Sequence, residues 1–193
     1  DISENILIIA EIGVNHEGNI QNAIKLIKLA ASSGVDAVKF QTYDPYRYAS
    51  TSDPARFARV TKFSLDIEEF MILADEAAKC RIGFFSTPLD ETAVQKLDPI
   101  CPVWKIASAD LVHEPTIRYA ASTGKPLLIS TGLGVPEEID RALGWVKSET
   151  NKSSLEDQVV LLHCVTAYPT PLNEANLLSI PYLRERYGLH VGY

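Results

Sequence analysis

Apolar residues fall along this chain in two alternating rhythms. Compact apolar runs of strand length, "ILIIAEIG" (6–13), "RIGFFSTP", "PLLISTG" and "QVVLLHCV", are each followed by a stretch with apolar positions three and four residues apart. The first such stretch, "NIQNAIKLIKLAASSG", has Ile20, Ala23, Ile24 and Ile27 at helical spacing, with Asn19 placed to cap its start and Gly34 to stop it. "DIEEFMILADEAAKC" sets Phe70, Leu73, Ala74 and Ala77 on one helix face. "DETAVQKL" and "EPTIRYAAST", the latter ending at Gly124, also read as helices, and "PEEIDRALGWVKSE" opens with Pro136 at the favoured first position. "DAVKFQTYD" and "PVWKIASAD" complete the strands. The polar "PYRYASTSDPARFARVTK" carries turn signals and room for one short helix, and a helical stretch broken by Pro181 leads to "LHVGY".

The pattern predicts six full strand–helix units and the start of a seventh strand. Such alternation implies a parallel sheet covered by helices, either open and doubly wound or closed as a barrel. The first strand–helix turn, "EIGVNHEGN", has no Gly-x-Gly-x-x-Gly fingerprint, and the chain has no Walker lysine, so dinucleotide and P-loop readings lose ground. We expect an α/β fold, a (β/α)8 TIM barrel that is incomplete. A full barrel takes about 250 residues, and this chain has 193. With no linker or low-complexity tract, all of it is expected to belong to a single barrel domain.

The barrel expectation gives meaning to the polar residues. Each strand's C-terminal end carries them: Glu11, then Lys39 and Gln41, then Ser86 and Thr87, then Lys105, Ser108 and Asp110, then Ser130 and Thr131, then His163, Thr166 and Tyr168. Barrel active sites are built at that face from the ends of several strands. In "DAVKFQTYD", Val38 and Phe40 would face the helices, while Lys39 and Gln41 face the mouth. Strict period two does not place Lys105 and Ser108 on one face, so that strand must bulge or end near Ala107. Two ammonium groups among hydroxyl donors suit a phosphate or a phosphorylated carboxylate. Glu11 and Asp110 suit proton transfer or the hydroxyls of a sugar.

Composition narrows the partners. The formal net charge is −7, which argues against nucleic acid or an anionic membrane held by bulk attraction. The first apolar run is too short for a signal peptide or a membrane span. Three cysteines without a Cys-x-x-Cys pair fit reduced thiols and a cytoplasmic protein. Cys164, in an apolar run, reads as a small core residue. His16 reads as surface, His163 as a satisfied core histidine, and no His/Asp/Glu spacing makes a complete metal site.

Six segments in order, "IIAEIGVNHEGN", "DAVKFQTY", "FFSTP", "WKIASADL", "GKPLLISTG" and "LLHCVTAYPTP", resemble the N-acetylneuraminate (sialic acid) synthase family, across essentially the whole chain. That family also includes legionaminic acid and spore-coat polysaccharide synthases. The resemblance implies condensation of phosphoenolpyruvate with an N-acetylated hexose to a nonulosonic acid, with release of phosphate. Position by position it implies that Lys39, Thr87, Lys105, Ser108 and Ser130 bind phosphoenolpyruvate. Thr166 stands where many members have Asn or Ser. Gln41 and Tyr168 match the amino-sugar pocket, Asp110 stands where a Glu often sits, and Glu11 matches the acid–base carboxylate. The family's divalent metal, Mn2+ or Mg2+, is held by two histidines expected beyond residue 193. The last barrel units and a C-terminal antifreeze-like domain are likewise expected beyond it, and a homodimer is expected at full length. On that likeness residues 1–193 alone should not turn over. A Schiff-base aldolase using Lys39 or Lys105, and a ligand-binding homologue without turnover, remain as other readings.

Overall fold

The computed structural model describes residues 6–150 and 154–193. The chain divides into two compact units, Asp1–Pro102 and Val103–Tyr193, and each repeats the strand–helix alternation that the sequence predicts.

In the first unit, β1 (Ile9–Gly13), β2 (Ala37–Thr42) and β3 (Gly83–Pro88) run parallel in chain order. Helix α1 (Ile20–Ser32) links β1 to β2. Asn19 caps it, its side chain accepting from the N–H groups of Gln21 and Asn22. Between β2 and β3 the structure has three helices, α2 (Pro45–Tyr48), α3 (Pro54–Phe63) and α4 (Ile67–Lys79). The expected single short helix before α4 is therefore two. Asp44 and Asp53 each cap one, followed directly by a proline, and that Asp-Pro pair recurring nine residues apart was the signal. Asp66 and Glu69 close a reciprocal capping box at the start of α4. Helix α5 (Glu91–Leu97) follows β3.

Phe40 is fully buried and meets the rings of Phe70 on α4 and Phe84 on β3, so the β2 face carrying Val38 and Phe40 is the helix-covered one. Ser86 pairs with Phe40 in the β2–β3 register and bonds Thr42 Oγ1 at 2.8 Å. It therefore lies on the helix side, away from Thr87. The expectation that both hydroxyls share one mouth is corrected by the two-residue period itself.

In the second unit, β4 (Trp104–Ile106), β5 (Leu127–Ser130), β6 (Val159–Leu162) and β7 (His190–Gly192) also run parallel in chain order. Helices α6 (Glu114–Ser122), α7 (Pro136–Glu149) and α8 (Ser179–Tyr187) connect them. Trp104, Ile106, Leu127, Ile129, Val159 and Leu161 are buried, as are the helix residues Ile117 and Ala142. Pro181 does not break its helix. It sits in the first turn of α8, where the backbone N–H that proline lacks would have no intrahelical partner.

Candidate active site

Glu11 stands opposite Lys39 in the β1–β2 register, and a bulge directly after it brings Gly13, at φ +57°, opposite Phe40. The bulge interrupts regular pairing directly after Glu11, two residues before the end of β1. Lys39 is almost wholly enclosed. Its Nζ lies 3.1 Å from Glu11 Oε2 and donates to Thr87 Oγ1 at 2.8 Å and to the Phe40 carbonyl at 3.3 Å. Thr87 is the register partner of Gln41, two positions beyond Lys39, so the ammonium leans along the sheet toward its C-terminal end. Burial holds the Lys39 pKa below the usual lysine range, and the adjacent Glu11 carboxylate opposes that shift. Gln41 is half-buried at the same end, near Gly13.

The second unit presents the other residues. Strand β4 stops at Ile106, and Ser108–Asp110 form a single 3-10 turn, the ending that lets Ser108 follow Lys105 at the strand's C-terminal end. Lys105 is half-buried. Asp110 is half-buried too. Desolvation raises its pKa, and the charges of His113 and Lys105 pull it back down. Ser130, the last residue of β5, is buried, and its Oγ accepts from the Cys164 thiol at 3.3 Å. Thr131 points elsewhere and donates to the Leu162 carbonyl.

Strand β6 ends at Leu162, so Thr166 and Tyr168 belong to the irregular segment after it. Thr166 is exposed, Tyr168 is 95% exposed, and neither makes a hydrogen bond to a described residue. The structure thus ties Glu11, Lys39 and Thr87 together by direct contacts, and gives Thr166 and Tyr168 no such hydrogen bond among the described residues. A cavity of about 590 Å3 is lined by His163, Cys164 and Thr166 together with Leu178 and Tyr182. His163 donates its Nε2–H to the Ala175 carbonyl at 2.8 Å.

Two residues depart from their expected roles. Cys164 is half-exposed beside Ser130 and is not a core residue, because β6 stops two positions before it. His16 is not on the surface. It is 1% exposed against Phe40, its Nδ1 accepts from the Gly18 N–H at 3.1 Å, and its Nε2 has no partner among the described residues. Burial depresses its pKa, so the neutral ring is the favoured form. The Gly two residues after His16 was the available signal, since a side-chain-to-backbone bond spanning two residues shapes such turns.

Comparison with known proteins decides the family. The model of the NeuB family matches residues 26–193. This chain belongs to the NeuB family. It is 37% identical to the N,N'-diacetyllegionaminic acid synthase of Campylobacter jejuni, covering 97% of this chain and 59% of that protein. It is 32% identical to the pseudaminic acid synthase of Helicobacter pylori, covering 96% of this chain and 57% of that protein. Among solved structures, the N-acetylneuraminic acid (sialic acid) synthetase of Leptospira borgpetersenii, in complex with citrate, superposes with a TM-score of 0.89 at 31% identity. That match covers 98% of this chain and 65% of the synthetase. The chain spans less than two thirds of the length of each of these NeuB-family relatives or neighbours. Its fold class is the incomplete (β/α)8 barrel expected from the sequence, with seven strands among the described residues.

Proposed function

We propose that this chain is the phosphoenolpyruvate-binding barrel portion of a nonulosonic acid synthase, acting on an N-acetylated hexose of the N-acetylmannosamine kind. The observation that carries this reading is Lys39, an enclosed ammonium held between Glu11 and Thr87 at the C-terminal end of a parallel sheet. Burying a charge is costly, and an incoming anion would offset that cost as no scaffold role does. Membership of the NeuB family and the sialic-type products named for its relatives support the substrate class.

In this reading Lys39 and Lys105 neutralise the phosphate and carboxylate of phosphoenolpyruvate, and Thr87, Ser108 and Ser130 donate to their oxygens. Gln41, Asp110 and Tyr168 contact the sugar, and Thr166 stands beside the anion. C3 of the enol forms a bond to the aldehyde carbon with the electron pair of the enol double bond, the carbonyl π pair moves onto the aldehyde oxygen as an alkoxide, and C2 is left electron-poor. Water adds at C2, and the bond from C2 to the phosphate oxygen breaks, which releases inorganic phosphate. Glu11 takes the proton from the water or delivers one to the alkoxide oxygen, which becomes the new hydroxyl.

A divalent ion, Mn2+ or Mg2+, belongs to the proposal through the family resemblance, where it would polarise the aldehyde. Among the described residues no three His, Cys, Asp or Glu side chains come together to hold one. A homodimer is likewise proposed on that resemblance. No helix of the structure is long and apolar enough to cross a membrane.

The test is phosphate release by the natural protein in its full length, supplied with phosphoenolpyruvate and a panel of N-acetylated hexoses. Release that needs both substrates supports the proposal. Borohydride-trapped substrate on Lys39 or Lys105 would instead establish the Schiff-base aldolase.

A further inference from the structure

Gly132 follows β5 closely, and three groups crowd it. A Cβ placed there would lie 2.8 Å from Ser108 Oγ, 3.0 Å from the Cys164 carbonyl oxygen and 3.1 Å from Cys164 Cβ. Real Cβ atoms essentially never come as close as the Ser108 contact, so a side chain at 132 would turn the Ser108 hydroxyl away, and the two tight Cys164 contacts would have to give by a few tenths of an ångström. The missing side chain is what lets the turn after β4, the end of β5 and the segment after β6 meet at one point.

Cys164 has a second connection at the same point. Its thiol donates to Ser130 Oγ at 3.3 Å, and Ser130 is 1% exposed. A hydroxyl that already accepts a hydrogen bond has its remaining directions restricted, and its own proton turns away from the donor. Neither Ser108 nor Ser130 makes a side-chain hydrogen bond to a described residue other than this one. The Ser130 hydroxyl is therefore orientated by the Cys164 thiol, and the Ser108 hydroxyl keeps its place only because Gly132 leaves that space open.

We propose that Gly132 and Cys164 are positioning residues, which aim the Ser108 and Ser130 hydroxyls as a pair of donors toward a phosphate or carboxylate oxygen. This rests on the reading that Ser108 and Ser130 bind phosphoenolpyruvate. Cys164 works as a weak hydrogen-bond donor with no covalent chemistry. Its contribution is the loss of one wrong hydroxyl orientation from the unliganded state, which is preorganisation. Serine at 164 can replace that donor; alanine cannot.

The experiment is calorimetric titration of phosphoenolpyruvate into the full chain and into its Cys164→Ala, Cys164→Ser and Gly132→Ala variants, with a thermal melt of each. We expect Cys164→Ala to bind about fivefold more weakly, the equivalent of one modest hydrogen bond, with an unchanged melting temperature. Cys164→Ser should recover affinity to within about twofold of the parent, and Gly132→Ala should lose more than Cys164→Ala. A variant that merely lost packing would not be rescued by the smaller serine oxygen. Parent affinity in Cys164→Ala, or serine no better than alanine, would overturn the positioning role and leave the phosphoenolpyruvate reading standing. Failure of the parent itself to bind would overturn that reading and this assignment with it.

Discussion

Glu11 faces Lys39 across the β1–β2 register with 3.1 Å between Oε2 and Nζ, yet the lysine side chain is 3% exposed and the glutamate 61%. The pair is lopsided. Its cation has lost nearly all its water, while its anion keeps most of its own and attracts the cation through a well-screened path. Burial consequently outweighs the carboxylate in setting the Lys39 pKa, which lies below the ordinary lysine value.

That imbalance predicts a trade between stability and function at Lys39. Replacing a desolvated charge with an apolar chain of similar length removes a cost that the partner does not fully offset. Lys39→Met is expected to raise unfolding free energy by about 1–2 kcal/mol at neutral pH while losing phosphoenolpyruvate binding. Urea denaturation read beside a binding titration checks both halves. A destabilised Lys39→Met would mean the ammonium is structural.

The same lysine sets an alkaline limit on anion binding. Its ammonium is lost as pH rises through its lowered pKa, so affinity should begin to fall below the ordinary lysine value of 10.5. Arginine stays protonated throughout that range. A Lys39→Arg variant, even if weaker, should therefore show a flat alkaline limb where the parent declines.

His16 predicts an acid-side effect of opposite origin. Its folded-state pKa is depressed, so the unfolded chain takes up a proton more readily than the folded one. Stability should thus fall as pH drops from the ordinary histidine value of 6.5 toward the lower folded value. Protonation would also cost the bond that Nδ1 accepts from Gly18. Chemical denaturation across that window should show a shallower pH slope in His16→Gln than in the parent.

Much of the fold was legible because its punctuation is local. Asn19, Gly34, Gly124 and Pro136 act within one helical turn of themselves, and the structure uses all four at helix ends. The strand-end residues Glu11, Lys39 and Thr87 were legible for a similar reason, since period two assigns faces without knowledge of distant parts. Ser86 shows the limit of reading strand ends as a group, because adjacent residues point to opposite sides. His16 and Cys164 were misread because their surroundings come from segments far along the chain. Lys62 and Phe63 pack over the His16 turn at Gly18, and Ser130 and Gly132 meet Cys164. Apolar pattern within a window carries neither contact. Pro181 was misread for want of one fact, the residue at which its helix starts.

Gly18 is the residue on which the His16 turn depends. It sits at φ +75°, and a Cβ there would come within 1.8 Å of the Lys62 carbonyl oxygen, a backbone atom that cannot swing away. Gly18→Ala combines left-handed strain with that clash and should cost about 3 kcal/mol or more. A thermal melt reads it. A loss under about 1 kcal/mol would show that the turn adapts.

If the strand-end lysines exist to hold an anion, as the proposed function has it, loss of either ammonium must show in binding. Phosphoenolpyruvate is titrated calorimetrically into the full chain and into Lys39→Ala and Lys105→Ala. That role predicts binding by the parent, none detectable in Lys105→Ala, and a loss of about 2–5 kcal/mol in Lys39→Ala, as when one partner of a buried charge pair is removed. Equal affinity in all three proteins would contradict it and make both lysines scaffold.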